Sequence, residues 1–468
     1  MNTIITNNII IENPTQYILD WCKDNLILDN PEYKQMKRMG KDNLIKWKKI
    51  PEKLELFSKV WGKIELPFGC LYALWNEIKK YPYTLKFNSN EDISIKNDSP
   101  TYELFDYQEE AVQAMLRAKG GILVSPCGSG KTVCGIEIIR RIGKKTLWLC
   151  HTGDLLTQTK KAMLEQYPNI KIGLTTQGKL EIGQDVTIST VQTLVNIDPD
   201  LYKDKFDVII VDECAHCAGS VTNLNMFSKI LSKVAARYKF GLTATPSRSD
   251  GLIKSMYVYL GCNIDGEMKE TFKVDKNRVK TIPAIHEKIS LFNGYDDFKL
   301  YEICDSSGMT DYNKLINSLS ENTERTMKII DNIVKCYKEG RKQVVLTLRT
   351  KHCEEITKIL QDMGIKVCYI ASKLSAKKRD EIISQKVEWD IIVATYSLLK
   401  EGVNIKELDT LHLTTPSKDK ALVVQCAGRI ERYIEDKKQP IVYDYVDEDI
   451  PYCVKAYTKR KGYLKRRF

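Results

Sequence analysis

The stretch SPCGSGKT, residues 125–132, places two glycines, a lysine and a threonine between an expected strand and an expected helix. Glycines at such a turn let the backbone approach a phosphate closely, and the N–H groups of the helix N-terminus attract its negative charge. We therefore predict a phosphate-binding loop in which Lys131 neutralises β- and γ-phosphate charge and the Thr132 hydroxyl ligates Mg²⁺. Ser125 stands where the general pattern has a glycine. The alternative is a glycine-rich turn that only opens a helix.

A second cluster, DECAHC, follows the apolar run VIIV and includes Asp212, Glu213 and two cysteines in C-x-x-C spacing. Because no second C-x-x-C or histidine pair follows at zinc-finger spacing, we interpret Cys214 and Cys217 as packing residues rather than as a metal or redox pair. An acidic pair at a strand end is instead typical of phosphate hydrolysis. Asp212 would hold Mg²⁺, and Glu213 would orient and deprotonate the attacking water.

Two further motifs carry weaker signals when each is taken alone. GLTATP, residues 241–246, offers threonine hydroxyls at a strand end, but threonine is a common strand residue. QCAGRIER, residues 425–432, spaces Arg429 and Arg432 three apart, which places them on one face if the segment is helical. Two guanidinium groups would stabilise charge that develops on a γ-phosphate. The alternative is a pair of surface arginines.

Apolar runs separated by helical stretches surround these motifs, which predicts parallel sheets covered on both faces. We expect an α/β fold with two tandem domains of this kind and a small mixed N-terminal domain. The predicted boundaries are an N-terminal accessory domain at 1–98, a first α/β domain at 99–252, a bridge at 253–320, a second α/β domain at 321–450 and a basic tail at 451–468.

Composition places the chain among soluble globular proteins, with 43% hydrophobic and 28% charged residues. No apolar run approaches the ~18 residues that span a bilayer, and the N-terminus does not read as a secretory signal. We therefore expect an intracellular protein, in the cytoplasm or nucleus of a host or in a virion. The net charge is +11, and the last fourteen residues carry seven Lys or Arg and no acid. Such a balance is compatible with a polyanionic partner or with a solvated surface.

Taken together, the motifs resemble those of the superfamily 2 DEAH-type helicases and translocases over about residues 100 to 450. SPCGSGKT resembles motif I, DECAH motif II, TAT motif III, ATYSLLKEGVNI motif V and QCAGRIER motif VI. GLTATPSRSDG is similar to a narrower group that includes XPB, phage UvsW and the transcript-release helicases of poxviruses and other large DNA viruses. Cys214 departs from the residue most members carry after the acidic pair, and QCAGR lacks an arginine after its glutamine.

The resemblance implies two RecA-like domains with ATP between them, Mg²⁺ as cofactor and a nucleic-acid strand as partner. It implies catalytic roles for Lys131, Asp212, Glu213, Gln425, Arg429 and Arg432. The implied ATP-binding residues are Gln108, Pro126, Cys127, Gly128, Ser129, Gly130, Lys131, Thr132, Gly402 and Asn404. The implied residues that contact nucleic acid or couple it to ATP are Thr190, Gln192, His216, Thr243, Ala244, Thr245 and Thr395.

Several alternatives stay open at the level of sequence. The chain is predicted to be a monomeric ATP-dependent helicase or translocase that acts on DNA, with RNA or a hybrid as the other candidates, in viral transcription, repair or recombination. The transcription or replication machinery is a candidate protein partner. The alternative is an ATP-gated remodeller that binds nucleic acid without separating strands. On such a core, Tyr33, Lys37, Arg38 and Trp47 become candidate substrate contacts of the N-terminal domain.

Overall fold

The computed structural model describes two compact units, Met1–Val279 and Lys280–Phe468. The described residues are all those of the chain except 127, 177, 216–220, 245–251, 280, 306–307, 371–380, 383–387, 397–404, 406 and 466–468. No helix within the described ranges is long and apolar enough to cross a membrane.

The first unit begins with a small mixed sheet whose strand order is β5-β6-β2-β1-β7. Neighbouring strands in it run antiparallel except β1 and β7, which are parallel. The elements of this region are β1 (Asn2–Ile5), β2 (Asn8–Glu12), α1 (Gln16–Asn25), β3 (Ile27–Asp29), α2 (Pro31–Arg38), α3 (Asp42–Lys48), β4 (Lys53–Glu55), β5 (Ser58–Val60), β6 (Lys63–Pro67), α4 (Leu71–Ile78) and β7 (Tyr83–Leu85).

A seven-stranded parallel sheet follows, in the order β10-β11-β9-β12-β13-β8-β14. Its central strands are buried along their whole length, as expected for a sheet covered by helices on both faces. The elements are α5 (Asp106–Ala118), β8 (Gly120–Val124), α6 (Lys131–Ile142), β9 (Thr146–Cys150), α7 (Gly153–Gln166), β10 (Ile172–Thr175), β11 (Val186–Thr190), α8 (Val191–Leu194), β12 (Val208–Asp212), α9 (Val221–Leu231), β13 (Tyr238–Thr243), α10 (Lys254–Leu260) and β14 (Phe272–Lys273).

The N-terminal sheet shares a hydrophobic core with one face of this parallel sheet. Ile5 and Ile64 belong to the same buried cluster as Ile122 and Ile209. The buried Lys239 ties the same junction together, because its ammonium donates to the carbonyls of Asn7 (3.0 Å) and Leu231 (3.1 Å). The N-terminal region therefore packs as part of the first unit, although the sequence pattern treats it as a separate domain.

The second unit contains a six-stranded parallel sheet in the order β15-β20-β19-β16-β18-β17. Its elements are β15 (Ile285–Leu291), α11 (Asp297–Glu302), α12 (Tyr312–Glu321), α13 (Thr323–Lys338), β16 (Gln343–Thr347), α14 (Thr350–Asp362), β17 (Val367–Ile370), β18 (Ile391–Thr395), β19 (Thr410–Leu413), α15 (Lys420–Ile430), β20 (Ile441–Asp447) and α16 (Pro451–Lys465). The predicted α/β class, with two parallel sheets and a small mixed N-terminal sheet, is confirmed.

Two segments differ from their expected form. The predicted bridge at 253–320 contributes β14 to the first sheet and β15 to the second. The predicted basic tail is the helix α16, which buries Cys453, Ala456 and Leu464 against the second unit. A lysine-rich segment can be helical when one face is apolar, because lysine itself is a good helix former.

Arg460 anchors α16 from inside the second unit. Its side chain is fully buried, and its guanidinium donates to both carboxylate oxygens of Asp444 at 2.6–3.1 Å and to the Ser417 carbonyl at 3.1 Å. Asp444 lies in β20 and also contacts His286 Nε2 at 3.1 Å. A bidentate buried pair of this kind is specific in geometry, and removal of one partner leaves the other charge in a dry environment.

Replacement of Arg460 with methionine is therefore expected to lower the free energy of unfolding by about 3–5 kcal/mol, because Asp444 would keep only its contact with His286. Urea unfolding of the full-length chain measures the loss. The matched control is Lys338→Met at the exposed end of α13, which should change stability by less than about 0.5 kcal/mol. Equal stabilities for the two variants would contradict the anchoring role.

Candidate active site

The parallel sheet of the first unit brings three motif-bearing loops to one edge. Strand β13 lies between β8 and β12 and is parallel to both. Asp212 ends β12, Thr243 ends β13, and SPCGSGKT begins directly after β8. Because the carboxyl ends of parallel strands meet at the same edge, the phosphate loop and the acidic pair face the same space.

The phosphate loop is held in shape by its own side chains. Gly128 and Gly130 have φ values of 81° and 80°, a left-handed conformation that favours glycine. The Ser129 hydroxyl donates to the Pro126 carbonyl at 2.6 Å and is also bonded to the Ser125 hydroxyl. The Ser125 N–H donates to the Thr243 carbonyl at 3.0 Å. The serine that departs from the general pattern thus joins the loop to β13.

Gln108, predicted to contact adenine, forms a hydrogen bond that holds the phosphate loop in position. Its amide nitrogen donates to the Ser129 carbonyl at 2.8 Å, and its oxygen accepts from the Phe105 N–H at 3.0 Å. A Cβ at Gly130 would lie 2.3 Å from this amide nitrogen, so the glycine is required for close approach as well as for its φ. The adenine role stays a prediction. The neighbouring Phe105 ring, which is 50% exposed and stacked on Tyr107, is a ligand-facing candidate that no motif signalled.

Lys131 and the acidic pair form the charged centre of the site. The Lys131 ammonium lies 3.6 Å from Glu213 Oε1, and both side chains are largely buried. Lys131 is the first residue of α6, so the phosphate loop that directly precedes the helix sets its position beside Glu213. Glu213 has a φ of 49°, and its N–H donates to Asp212 Oδ1 at 2.9 Å. A non-glycine residue in this conformation stores strain, which is common at functional sites.

Asp212 is only 5% exposed, and its environment opposes its charge. Burial and then the neighbouring Glu213 carboxylate raise the pKa of Asp212 to about 7, although the Lys131 ammonium favours the charged form. A cation bound beside Asp212 would stabilise the charged form of its carboxylate against burial and the neighbouring Glu213. Carboxylate and hydroxyl oxygens are the ligands that Mg²⁺ prefers, and Mg²⁺ usually takes only one or two protein carboxylates beside phosphate and water. The donors present, Asp212 and Thr132, therefore fit that ion.

Within the described part of the chain, no group of three or more His, Cys, Asp or Glu side chains could hold a metal ion. Cys214 is fully buried and lies in the hydrophobic core, where burial raises its pKa well above the ordinary value. Cys217 and His216 lie outside the described residues, as do Cys127 and Thr245. The described thiol of the DECAHC cluster is thus a packing residue.

The predicted nucleic-acid contacts of the first unit lie at the ends of its strands. Thr190 ends β11 and caps α8 by accepting from the Thr193 N–H at 3.3 Å. Gln192 in the first turn of α8 is exposed. Thr243 is fully buried, and Ala244 follows it at partial exposure. Thr190 and Gln192 are therefore accessible to a ligand, whereas Thr243 lies within the sheet edge.

In the second unit, Gln425 and Arg429 lie on α15. Gln425 is 9% exposed, and its buried Oε1 accepts no hydrogen bond from any described residue. The helix ends at Ile430, so Arg432 does not share a helical face with Arg429. Arg432 instead forms an antiparallel bridge with Thr281. The expected one-face arrangement is wrong because the backbone leaves the helix before the second arginine.

The remaining predicted residues of the second unit lie at the end of β18. Thr395 ends that strand and is partly buried. Gly402 and Asn404, from the stretch that resembles motif V, lie outside the described residues.

Comparisons with known proteins agree with this arrangement. Residues 101–248 match the family of the type III restriction enzyme res subunit, and residues 325–433 match the helicase conserved C-terminal domain. The first match contains Lys131, Asp212 and Glu213, and the second contains Gln425, Arg429 and Arg432. The chain belongs to the superfamily 2 helicases.

Relatives of this helicase include viral and cellular proteins. It is 23% identical over 384 residues to a putative ATP-dependent RNA helicase of Acanthamoeba polyphaga mimivirus, covering 81% of this chain and 70% of the relative. It is 26% identical to a probable helicase of Escherichia phage T5, covering 68% and 66%. It is 24% identical to the DNA 3'-5' translocase XPB2 of Sulfurisphaera tokodaii, covering 80% and 89%. These relatives are consistent with the XPB and UvsW group.

A solved structure, that of T4 UvsW, aligns with 100% of this chain and 98% of its own, at 18% identity and a TM-score of 0.41.

Substitution of Asp212 with asparagine is expected to stabilise the protein in the absence of nucleotide and metal. The pKa of Asp212 is raised in the folded state, so its charge disfavours folding once the pH rises above the ordinary aspartate range. The gain should be on the order of 4 kcal/mol at pH 8 and should vanish as the pH falls towards 4. Urea unfolding in EDTA across this range measures it, and a pH-independent difference would contradict the electrostatic account.

Proposed function

We propose that this helicase uses the site around Lys131 to hydrolyse ATP and couples hydrolysis to movement along nucleic acid, with DNA as the expected substrate. The observation that carries the proposal is the convergence of a phosphate loop, a lysine and two carboxylates at one edge of the parallel sheet. The loop and the lysine follow β8, and the two carboxylates lie at the end of β12, so the site depends on the fold rather than on a short local motif.

The residues divide the chemistry among them. Loop N–H groups and Lys131 would hold the phosphates and neutralise their charge, while Asp212 and Thr132 would hold Mg²⁺. When bound, Mg²⁺ would supply positive charge that stabilises the charge of the transition state. Glu213 would orient the attacking water and accept its proton. The Phe105 ring and Gln108 lie beside the loop and would contact the adenine side of the nucleotide.

The contact between Lys131 and Glu213 suggests how Glu213 is kept from acting as the base before phosphates are bound. In the structure the ammonium lies 3.6 Å from the Glu213 carboxylate and forms an ion pair with it. Phosphates that attract Lys131 would release Glu213 to act as the base. Gln425, Arg429 and Arg432 of the second unit stay predicted ligands of the γ-phosphate, and Arg432 would act from the bridge with Thr281 rather than from α15.

The substitutions Lys131→Ala and Glu213→Gln are expected to abolish DNA-stimulated ATP hydrolysis, a loss of at least about 10³-fold for the base if it supplies a typical general-base contribution together with water positioning. Phosphate release with and without single-stranded DNA is the measurement. Lys161→Ala and Glu165→Gln on the exposed face of α7 are the matched controls. Full activity in both site variants would refute the proposed function.

The polarity and the mode of action are finer proposals. The resemblance to the XPB and UvsW group favours movement from 3′ to 5′, and the relative from Sulfurisphaera tokodaii is named a DNA 3'-5' translocase. Unwinding of a forked duplex beside displacement of a triplex-forming strand separates a helicase from a translocase that does not separate strands. Triplex displacement without fork unwinding would favour the second candidate.

The helices α2 and α3 of the N-terminal region support a nucleic-acid role for that region. No residue of α2 is buried, and Ile45 is the one buried residue of α3. Trp47 lies about 200° around the helix from Ile45 and is 76% exposed, with the exposed Lys46 and Lys48 beside it. Exposed aromatic rings among cations are typical of surfaces on which bases stack.

The substitution Trp47→Ala is therefore expected to weaken binding of single-stranded DNA to the full-length protein by on the order of tenfold, the effect of one lost stacking contact. Fluorescence anisotropy of a labelled oligothymidine measures the change. The matched control is Tyr17→Ala, an exposed ring on α1 that lies near the acidic residues Asp20 and Asp24. Equal affinities for Trp47→Ala and the wild type would remove this surface from the proposal.

A further inference from the structure

The helix α16 displays its lysines on one face. Lys455, Lys459, Lys461 and Lys465 are exposed, whereas Cys453, Ala456, Arg460 and Leu464 are buried. At 3.6 residues per turn, the four lysines occupy an arc on the side away from the buried residues. On the same arc Thr458 is exposed, Val454 and the small Gly462 are partly buried, and no large apolar side chain is exposed.

The loop that follows β19 adds a fifth lysine to this face. Four consecutive carbonyls, those of residues 415 to 418, accept side-chain hydrogen bonds at 2.9–3.4 Å, and the donors in order are Tyr396, Tyr312, Arg460 and Tyr463. Two of these donors belong to α16, so the helix and the loop are fixed to each other. Lys418 is thereby placed with its ammonium 3.3 Å from the centroid of the Tyr452 ring.

The five lysines bring like charges together on one surface, and the rings of Tyr452 and Tyr457 lie 3.3 and 5.8 Å from the ammonium groups of Lys418 and Lys461. None of them forms an ion pair with any residue that the structure describes. Partial burial and then the charges of Lys459 and Lys455 lower the pKa of Lys418. Lys455 and Lys459, like Lys461 and Lys465, are four residues apart, and like charges at this spacing disfavour a helix. A polyanion bound to the face would relieve this repulsion.

Gly462 lies in the middle of the lysine arc and has no structural need to be glycine. A Cβ at this position would meet nothing within 4 Å, and its φ is not in the left-handed region. Glycine in a helix interior is normally unfavourable. Because Gly462 has no side chain, the helix surface between the lysines is lower at this position, and an extended ligand can approach the helix closely.

We propose that the α16 face, defined as Lys418, Lys455, Lys459, Lys461 and Lys465, binds the phosphodiester backbone of the nucleic acid on which this helicase acts. The inference rests on the proposed function and names a contact surface for it. Since lysines bind phosphates as point charges and no base-reading side chain accompanies them, binding at this face is independent of sequence. An acidic protein is disfavoured as the partner because interface cores are depleted of lysine and contain large apolar residues, which the face lacks.

The face is also placed to link backbone binding to the predicted ATP chemistry. Lys418 precedes Asp419, whose side chain caps α15 by accepting from the Leu422 N–H at 3.1 Å. The same helix carries Gln425 and Arg429. A phosphate held by Lys418 therefore acts on the segment that sets the position of α15.

The test compares Lys455→Gln/Lys459→Gln with the wild type and with Lys335→Gln/Lys338→Gln, an equal charge change on exposed positions of α13. Anisotropy of labelled single-stranded DNA is measured on the full-length protein over about 50 to 200 mM salt. Two lost phosphate contacts should reduce the slope of log K against log salt by about 1.4 and the affinity on the order of 50-fold at the lowest salt. The DNA concentration for half-maximal ATPase should rise, while the rate at saturating DNA stays unchanged.

The outcomes separate this inference from the proposed function. A wild-type slope in Lys455→Gln/Lys459→Gln, or the same loss in the α13 control, overturns the inference and leaves an acidic protein as the partner of the α16 face. Lys131→Ala serves as the second reference, because it should lose ATP hydrolysis and keep the wild-type DNA slope. Failure of the wild type to hydrolyse ATP or to bind DNA refutes the proposed function itself.

Discussion

The juxtaposition of Asp212 and Glu213 at the end of a buried strand is the constraint around which the first unit is organised. Two adjacent carboxylates in a place with little water repel each other, and burial opposes the charge of Asp212 in addition. The fold tolerates this arrangement because β12 lies between β9 and β13, and because the phosphate loop brings Lys131 to Glu213. Without its ligands the site therefore lowers the stability of the fold. A bound cation and a bound phosphate are the groups that would offset this loss.

The same constraint explains why several hydrogen bonds hold the phosphate loop in place. Lys131 has to lie between the Glu213 carboxylate and an incoming phosphate, so the backbone that carries it has to be held in a fixed position. The braces are the hydrogen bonds from Ser125 to β13, from Ser129 to Pro126 and from Gln108 to Ser129. Ser125 has a hydroxyl that glycine would lack, and it is bonded to the Ser129 hydroxyl, so the departure from the usual pattern adds a contact within the loop. Preorganisation of this kind is what makes a charged site effective.

Much of this could be predicted from sequence because the signals were local. The run from Val208 to Asp212 is buried on both faces and therefore reads as a strand, and glycine followed by Lys131 marks a helix start that the structure places at that residue. Features that depend on distant contacts could not be predicted. Strand β15 is largely exposed and owes its form to pairing with β20, and the turn of the chain before Arg432 follows from its bridge with Thr281.

The helix α16 shows why a basic composition does not distinguish a frayed tail from a binding surface. The local sequence contains repelling lysines and a glycine, which disfavour a helix on their own. What makes the helix stable is the contact of Arg460 with Asp444, a residue of a strand, together with the buried Cys453 and Leu464. Since the stabilising interactions are all on one side, the lysines on the other side are not needed for folding. Tertiary structure therefore converts a segment of high charge into a face whose cations are available to a ligand.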